Sequence, residues 1–185
     1  MWPLALGSAI VGYLVGRRKG AGGRGPAAPA APVSGVAPEA WERFVAQMAV
    51  ADKSHVSERG KLGAFQMDAR RLADVGAMRR AWKGPRGGVA GAWVGEWASG
   101  LTEAAFLGSM PLQYAVFARS MRAAAPKVSP LVGSVIDGKV ATLSGLLGVS
   151  HAAGERSVEG FVRDPMIRTR FPSTADVFRR TNGIF

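Results

Sequence analysis

The stretch Lys139–Ala153, KVATLSGLLGVSHAA, decides the fold class. Between Lys139 at its start and His151 near its end it holds no ionisable side chain, and its apolar residues are not confined to one stripe. A helix that is apolar on every side belongs in an interior, so this segment is expected to be the central core helix. Downstream, Ser157 to Val162 reads as a short helix closed by Asp164-Pro165. Ser173 and Asp176 then form an S-x-x-D capping signature ahead of Val177-Phe178, and the chain runs out through Asn182-Gly183-Ile184-Phe185.

Upstream, Thr102 is placed to cap TEAAFLGSMPLQYAVFARSMRAAA, in which Pro111 should kink or divide the helix. From Trp82 to Gly100 glycine alternates with Trp82, Trp93 and Trp97, a composition too irregular for a helix, so a loop or short hairpin is expected. Asp68 can cap DARRLADVGAM, with Leu72, Val75 and Met78 on its buried side. Pro38 suits the first turn of PEAWERFVAQMAVADKSHVSER, where Trp41, Phe44, Val45, Met48 and Ala49 recur at helical spacing. That helix should run to Gly60, or stop as early as Lys53. The predicted class is mainly α with one small hairpin, as a single domain over 38–185.

The chain ahead of it reads differently. Residues 2–16, WPLALGSAIVGYLVG, carry no charge and are followed at once by Arg17-Arg18-Lys19. As a helix this segment would be about 22 Å long, short of a ~30 Å hydrocarbon core but able to span a thin bilayer if the basic side chains reach the interface. A secretory signal carries its charge before the apolar run, so residues 1–19 read best as a retained N-terminal membrane helix, with a signal peptide or a core helix as alternatives. Gly12 and Gly16 form a G-x-x-x-G step, which permits close helix pairing and equally reflects a glycine-rich chain. Residues 20–37, rich in Gly, Pro and Ala, read as an extended linker.

Twenty-four Lys and Arg against 13 Asp and Glu give a formal charge of +11, which favours anionic partners: nucleic acid, anionic lipid or cell wall. There is no cysteine, which excludes disulfides, thiolate metal sites and a cysteine nucleophile. His55 and His151 are the only histidines and lie far apart, and no phosphate-binding glycine loop occurs; no metal or cofactor is expected. Nucleic acid is expected to bind only nonspecifically, since no reading helix or aromatic-basic motif is recognised.

Three segments carry a family resemblance. Lys61-Leu62-Gly63-Ala64-Phe65-Gln66-Met67 resembles the G-x-(F/Y/M)-Q signature of lytic transglycosylases and phage-type lysozyme-like domains. Gly145-Leu146-Leu147-Gly148-Val149-Ser150-His151-Ala152-Ala153-Gly154 is similar to their core segment, and Ser173 to Phe185 to the run that closes phage versions. The order of the three matches the family, over residues 38–185. The resemblance implies a lysozyme-like fold, the glycan strand of peptidoglycan as substrate, and one essential acid. That carboxylic acid protonates the glycosidic oxygen and then, as carboxylate, draws a proton from the sugar's own 6-hydroxyl to close a 1,6-anhydro ring. A water-using muramidase would add a second carboxylate.

Family members carry Glu-Ser at the end of the first helix, and this chain has none. Glu58, in Ser-Glu-Arg-Gly, and Asp52, in Ala-Asp-Lys-Ser, are the candidate acids; Glu58 has the longer side chain and lies eight residues before Gln66. Glu58 reads alternatively as an exposed charge paired with arginine. By the same resemblance Gln66 and Phe65 would line the cleft and His151 its wall, although a polar loop residue and a core histidine are the plainer readings of Gln66 and His151. Trp93 and Trp97 offer flat apolar faces suited to pyranose rings, or to packing within a hairpin.

The basic flank of the anchor lies on the domain side, which would leave the domain in the cytoplasm, away from peptidoglycan. A place in a virus particle, in an internal membrane or among proteins delivered into the host envelope, resolves the conflict and allows other virion proteins as partners. The rival reading is a catalytically inactive lysozyme-like structural protein of a viral membrane or particle.

Overall fold

The computed structural model describes residues 31–52, 54–57, 59–86 and 89–185. The expected membrane helix and most of the linker lie outside them, and among the described residues no helix is long and apolar enough to cross a membrane. The class is mainly α with a small antiparallel hairpin. Where one domain is expected over 38–185, the described chain divides into two compact units, one formed by residues 50–118 and the other by 31–49 with 119–185.

In the second unit, α1 (Pro38–Met48) buries Trp41, Phe44 and Val45, and Phe44 meets Phe185 edge-on with ring centroids 5.4 Å apart. The expected core helix is α5 (Leu143–Ala153), in which every residue from Ser144 to Ser150 is buried. It starts four residues later than expected. Lys139–Val140 is instead β4, paired with β3 (Val135–Ile136) around Asp137 and Gly138 at φ +48° and +76°. An Asp-Gly pair with both residues left-handed is the favoured two-residue hairpin turn, and it prevails over helix here.

Close approach between α5 and α8 (Pro172–Thr181) depends on two glycines. A Cβ on Gly145 would lie 2.5 Å from Asn182 Oδ1, and one on Gly148 would lie 2.4 Å from Thr181 Oγ1. Asn182 Oδ1 accepts from the Thr142 N–H at 2.8 Å while its amide donates to Val140 O at 2.9 Å, so the C-terminal run is tied to the start of α5. The S-x-x-D capping signature is not realised. Ser173 sits inside α8, whose N-cap makes no side-chain hydrogen bond, because Pro172 already starts the turn; Asp176 pairs with Arg179 and Arg180 instead. Asp164 closes α6 (Val158–Arg163) as expected and also caps a further helix, α7 (Pro165–Arg170), through the Met166 N–H at 2.8 Å.

In the first unit, Asp68 caps α2 (Ala69–Asp74) by accepting from the Arg71 N–H at 2.8 Å. Thr102 caps α3 (Glu103–Gly108) through Ala105 N–H at 3.1 Å. Pro111 divides the following segment: α4 (Met110–Val128) begins afresh with the proline in its first turn, where a missing N–H costs nothing. The glycine–tryptophan stretch is more regular than its composition suggests. It forms two nine-residue strands, β1 (Met78–Arg86) and β2 (Val89–Trp97), antiparallel with irregularities near both ends of β1. Gly95 makes this possible, since a Cβ there would lie 2.4 Å from Met78 Sδ and 2.8 Å from Arg80 O.

Candidate functional site

The helix expected to carry the acid ends at Met48, short of both Gly60 and the earlier expected stop at Lys53. Asp52 Oδ1 accepts from the Ser54 N–H at 2.8 Å and the Ser54 hydroxyl at 2.7 Å, a local turn that competes with helix for the backbone. Val50 N–H donates to Ala64 O at 2.7 Å, and so joins the motif rather than a further helical turn.

Beyond Asp52 the chain folds into three short runs side by side. Val56 bridges Leu62, and Leu62 bridges Met67, each antiparallel. Ser57 N–H donates to Lys61 O at 2.9 Å, and Gly63 N–H to His55 O at 2.8 Å. Glu58 falls outside the described residues; its neighbours Ser57 and Arg59 belong to a turn closed by Gly60 N–H on Ser57 O at 2.8 Å.

The motif itself is a four-residue turn, Gly63 to Gln66, closed at its base by reciprocal Leu62–Met67 hydrogen bonds of 2.9 and 3.0 Å. Gly63 has φ +72°, and a Cβ there would lie 2.4 Å from Gln113 Oε1. That oxygen accepts from the Ala64 N–H at 2.7 Å, and the same side chain's Nε2 donates to Phe106 O at 3.0 Å and Leu107 O at 3.1 Å. Gln113 is 1 % exposed. Phe65 is buried and stacks on Phe117 at 4.3 Å, so it supports the turn from beneath. Gln66 is half-buried in a left-handed backbone at φ +49°, its amide donating to Gly63 O at 2.8 Å.

Asp52 is exposed, and its carboxyl is held below the ordinary carboxylate range, first by the Ser54 hydroxyl and then by the Ser54 N–H. A proton donor needs the opposite shift, which desolvation would supply. Lys61, half-buried within the motif segment, is pushed below the ordinary lysine range by burial; Asp68 opposes this and Arg71 and Arg59 add to it. Because its folded value lies below its ordinary 10.5, the cost of charging it is fully present below that lowered value and is relieved as pH rises towards the unfolded value. Lys61→Met should therefore raise the melting temperature at pH 7. The gain should shrink as pH rises towards 10.5, as thermal melts across pH will show.

Trp97 is half-buried and packs on Phe106 of α3, with ring centroids 5.4 Å apart. Trp93, also half-buried, has Lys83 Nζ at 4.5 Å and Arg70 Cζ at 5.6 Å from its ring centroid. His151 stands half-buried in the last turn of α5, in the second unit. Asp52, Phe65, Gln66, Trp93 and Trp97 thus belong to the first unit, and His151 to the second. A pocket of about 160 Å³ in the second unit, lined by residues including Ile136, Asp137, Lys139 and Phe178, involves none of the predicted site residues. Among the described residues no cluster of His, Asp and Glu could hold a metal. Gln113 was not singled out in the sequence; its one signal is a polar residue among the apolar positions of a helix.

Against known proteins, the chain matches no family model, no curated protein and no solved structure.

Proposed function

We propose that this chain is a membrane-anchored, virion-associated peptidoglycan hydrolase that cleaves the glycan strand in the manner of a lytic transglycosylase and helps genome delivery through the cell wall. The observation that carries this reading is Gln66. A glutamine in left-handed backbone is held at a cost of order 1 kcal/mol or more, while glycine would sit there without strain. Gln66 closes a turn braced by Gln113 and Phe117, at the position where the resembled families place a cleft-lining glutamine. Strain kept by a polar, half-buried side chain on a rigid support fits a ligand-binding role.

Glu58 is the proposed acid. It protonates the glycosidic oxygen as the C–O bond breaks; the carboxylate then takes the proton of the 6-hydroxyl, whose oxygen bonds to the anomeric carbon, and no water is consumed. Gln66 orients the sugar by hydrogen bonding. The setting of Asp52 favours its charged form and argues against it as the donor. It also gives the inactive structural reading its one support, since without Glu58 no described carboxylate near the motif suits the role.

Gln66→Gly separates fold from function. Relief of backbone strain offsets the lost side-chain bond, so stability should stay within about 1 kcal/mol of the parent. Release of soluble fragments from purified sacculi by the full chain should drop about tenfold or more, the loss of one good hydrogen bond in the transition state. Unchanged release would remove Gln66 from the cleft.

A further inference from the structure

The β1/β2 hairpin carries a cationic surface around Trp82, a residue to which the proposed cleavage assigns no role. In sequence, Met78–Trp97 holds Arg79, Arg80, Lys83 and Arg86 against one acid, Glu96. Register fixes the faces between residues 80 and 84: Arg80 opposite Glu96 and Trp82 opposite Val94 lie on one side, Ala81 opposite Gly95 and Lys83 opposite Trp93 on the other. The second side packs on α2, since a Cβ at Gly95 would stand 3.3 Å from Ala69 Cβ. The first presents Trp82, 46 % exposed, with Arg80 beside it. Glu96 is engaged by both Arg79 and Arg80, so the surface keeps a positive excess.

An exposed tryptophan beside guanidinium groups suits a partner that brings both an apolar contact and negative charge. Three classes of partner bring both negative charge and an apolar contact: a nucleic acid, an anionic glycan and an anionic lipid surface. Stacking of bases or pyranoses needs ring faces, and here cations lie over them. Arg80 Cζ is 5.5 Å from the centroid of Trp82, and Trp93 has Lys83 at 4.5 Å and Arg70 at 5.6 Å. A tryptophan lodged beside guanidinium groups, as Trp82 is beside Arg80, suits the headgroup level of a bilayer, where an apolar ring and cations are wanted at the same depth.

We propose that this hairpin docks on an anionic lipid surface, with Trp82 seated among the headgroups and Arg79 and Arg80 against the lipid phosphates. This contact is separate from the anchor expected in residues 2–19, and it makes membrane binding depend on lipid charge. Each basic residue near an anionic bilayer contributes about a fivefold change in affinity, reduced by salt.

The test is flotation of the full chain with vesicles of phosphatidylcholine alone or with a third of phosphatidylglycerol. The parent should prefer the anionic vesicles, with the two hairpin arginines supplying up to about 25-fold of that preference at low salt. The double variant Arg79→Ser, Arg80→Ser, whose side chains are both exposed, should lose that share and keep only the preference that the remaining basic residues, Arg17, Arg18 and Lys19 among them, give the chain. Trp82→Ala should keep most of the charge preference and lose the part of the tryptophan quenching that bromine-labelled lipids produce in the parent. Equal binding of parent and double variant to anionic vesicles overturns the proposal. So does tighter binding of the parent to single-stranded DNA than to these vesicles, weakened by Trp82→Ala, which would assign the surface to nucleic acid. Binding to neutral vesicles reports on the anchor alone, and its absence would count against that segment without touching the hairpin.

Discussion

Glu58→Gln should lower the release of sugar fragments from peptidoglycan by at least ~10²–10⁴-fold, the range a positioned proton donor supplies. The substitution keeps the side chain's length and hydrogen bonding and removes the transferable proton, so pull-down of the protein on sacculi should be unchanged. Asp52→Asn should leave release within a few fold of the parent, because the Asp52 carboxyl is exposed and its two Ser54 hydrogen bonds favour the charged form. The two variants together discriminate the acids. A dead Asp52→Asn beside an active Glu58→Gln would transfer the chemistry to Asp52 and require a rearrangement of the Asp52–Ser54 turn on substrate binding.

Gln113→Leu should cost about 3 kcal/mol of stability and unseat the motif turn. Leucine fills similar space, but the Ala64 N–H and the Phe106 and Leu107 carbonyls would lose their shared partner, and Gln113 is buried with no route for water to replace it cheaply. Denaturant melts should show a lowered midpoint with an unchanged slope if only the folded state is affected. Hydrogen exchange at Ala64 should rise first, since its N–H loses its acceptor. A melt indistinguishable from the parent would mean that the glutamine is not the brace of the turn.

The parts of the fold legible in sequence were those governed by neighbours along the chain. Asp68 and Thr102 cap as expected because capping needs only the following three residues. Pro111 breaks its helix for an equally local reason, and the all-round apolarity of Leu143–Ala153 carries its own signal of burial. The failures have long-range or competing causes. Helix α1 stops at Met48 because Ala64, far along the chain, takes the Val50 N–H. The early residues of the core segment go to a hairpin because Asp137-Gly138 is a stronger turn former than Lys139–Val140 is a helix starter. Ser173 had the spacing of a cap, and Pro172 took the helix start from it.

For the candidate site, the motif Gly63-Ala64-Phe65-Gln66 was legible as a segment but its support was not. Gly63 is needed for its positive φ and for the room it leaves Gln113, fifty positions on. Trp93 reads in sequence as a flat face for sugar, and only the packing of Arg70 and the cross-strand Lys83 puts cations on it. The division at residues 49–50 and 118–119 had no signature, since no proline- or glycine-rich linker marks either point.

The most direct measurement is mass analysis of the soluble products when the full chain is incubated with purified sacculi. The expected products are 1,6-anhydro muropeptides, lighter by one water than their reducing-end counterparts, and absent with Glu58→Gln. Reducing-end sugars alone would contradict the transglycosylase mechanism, and no glycan product from any wall preparation would contradict the hydrolase itself and leave a structural protein in its place.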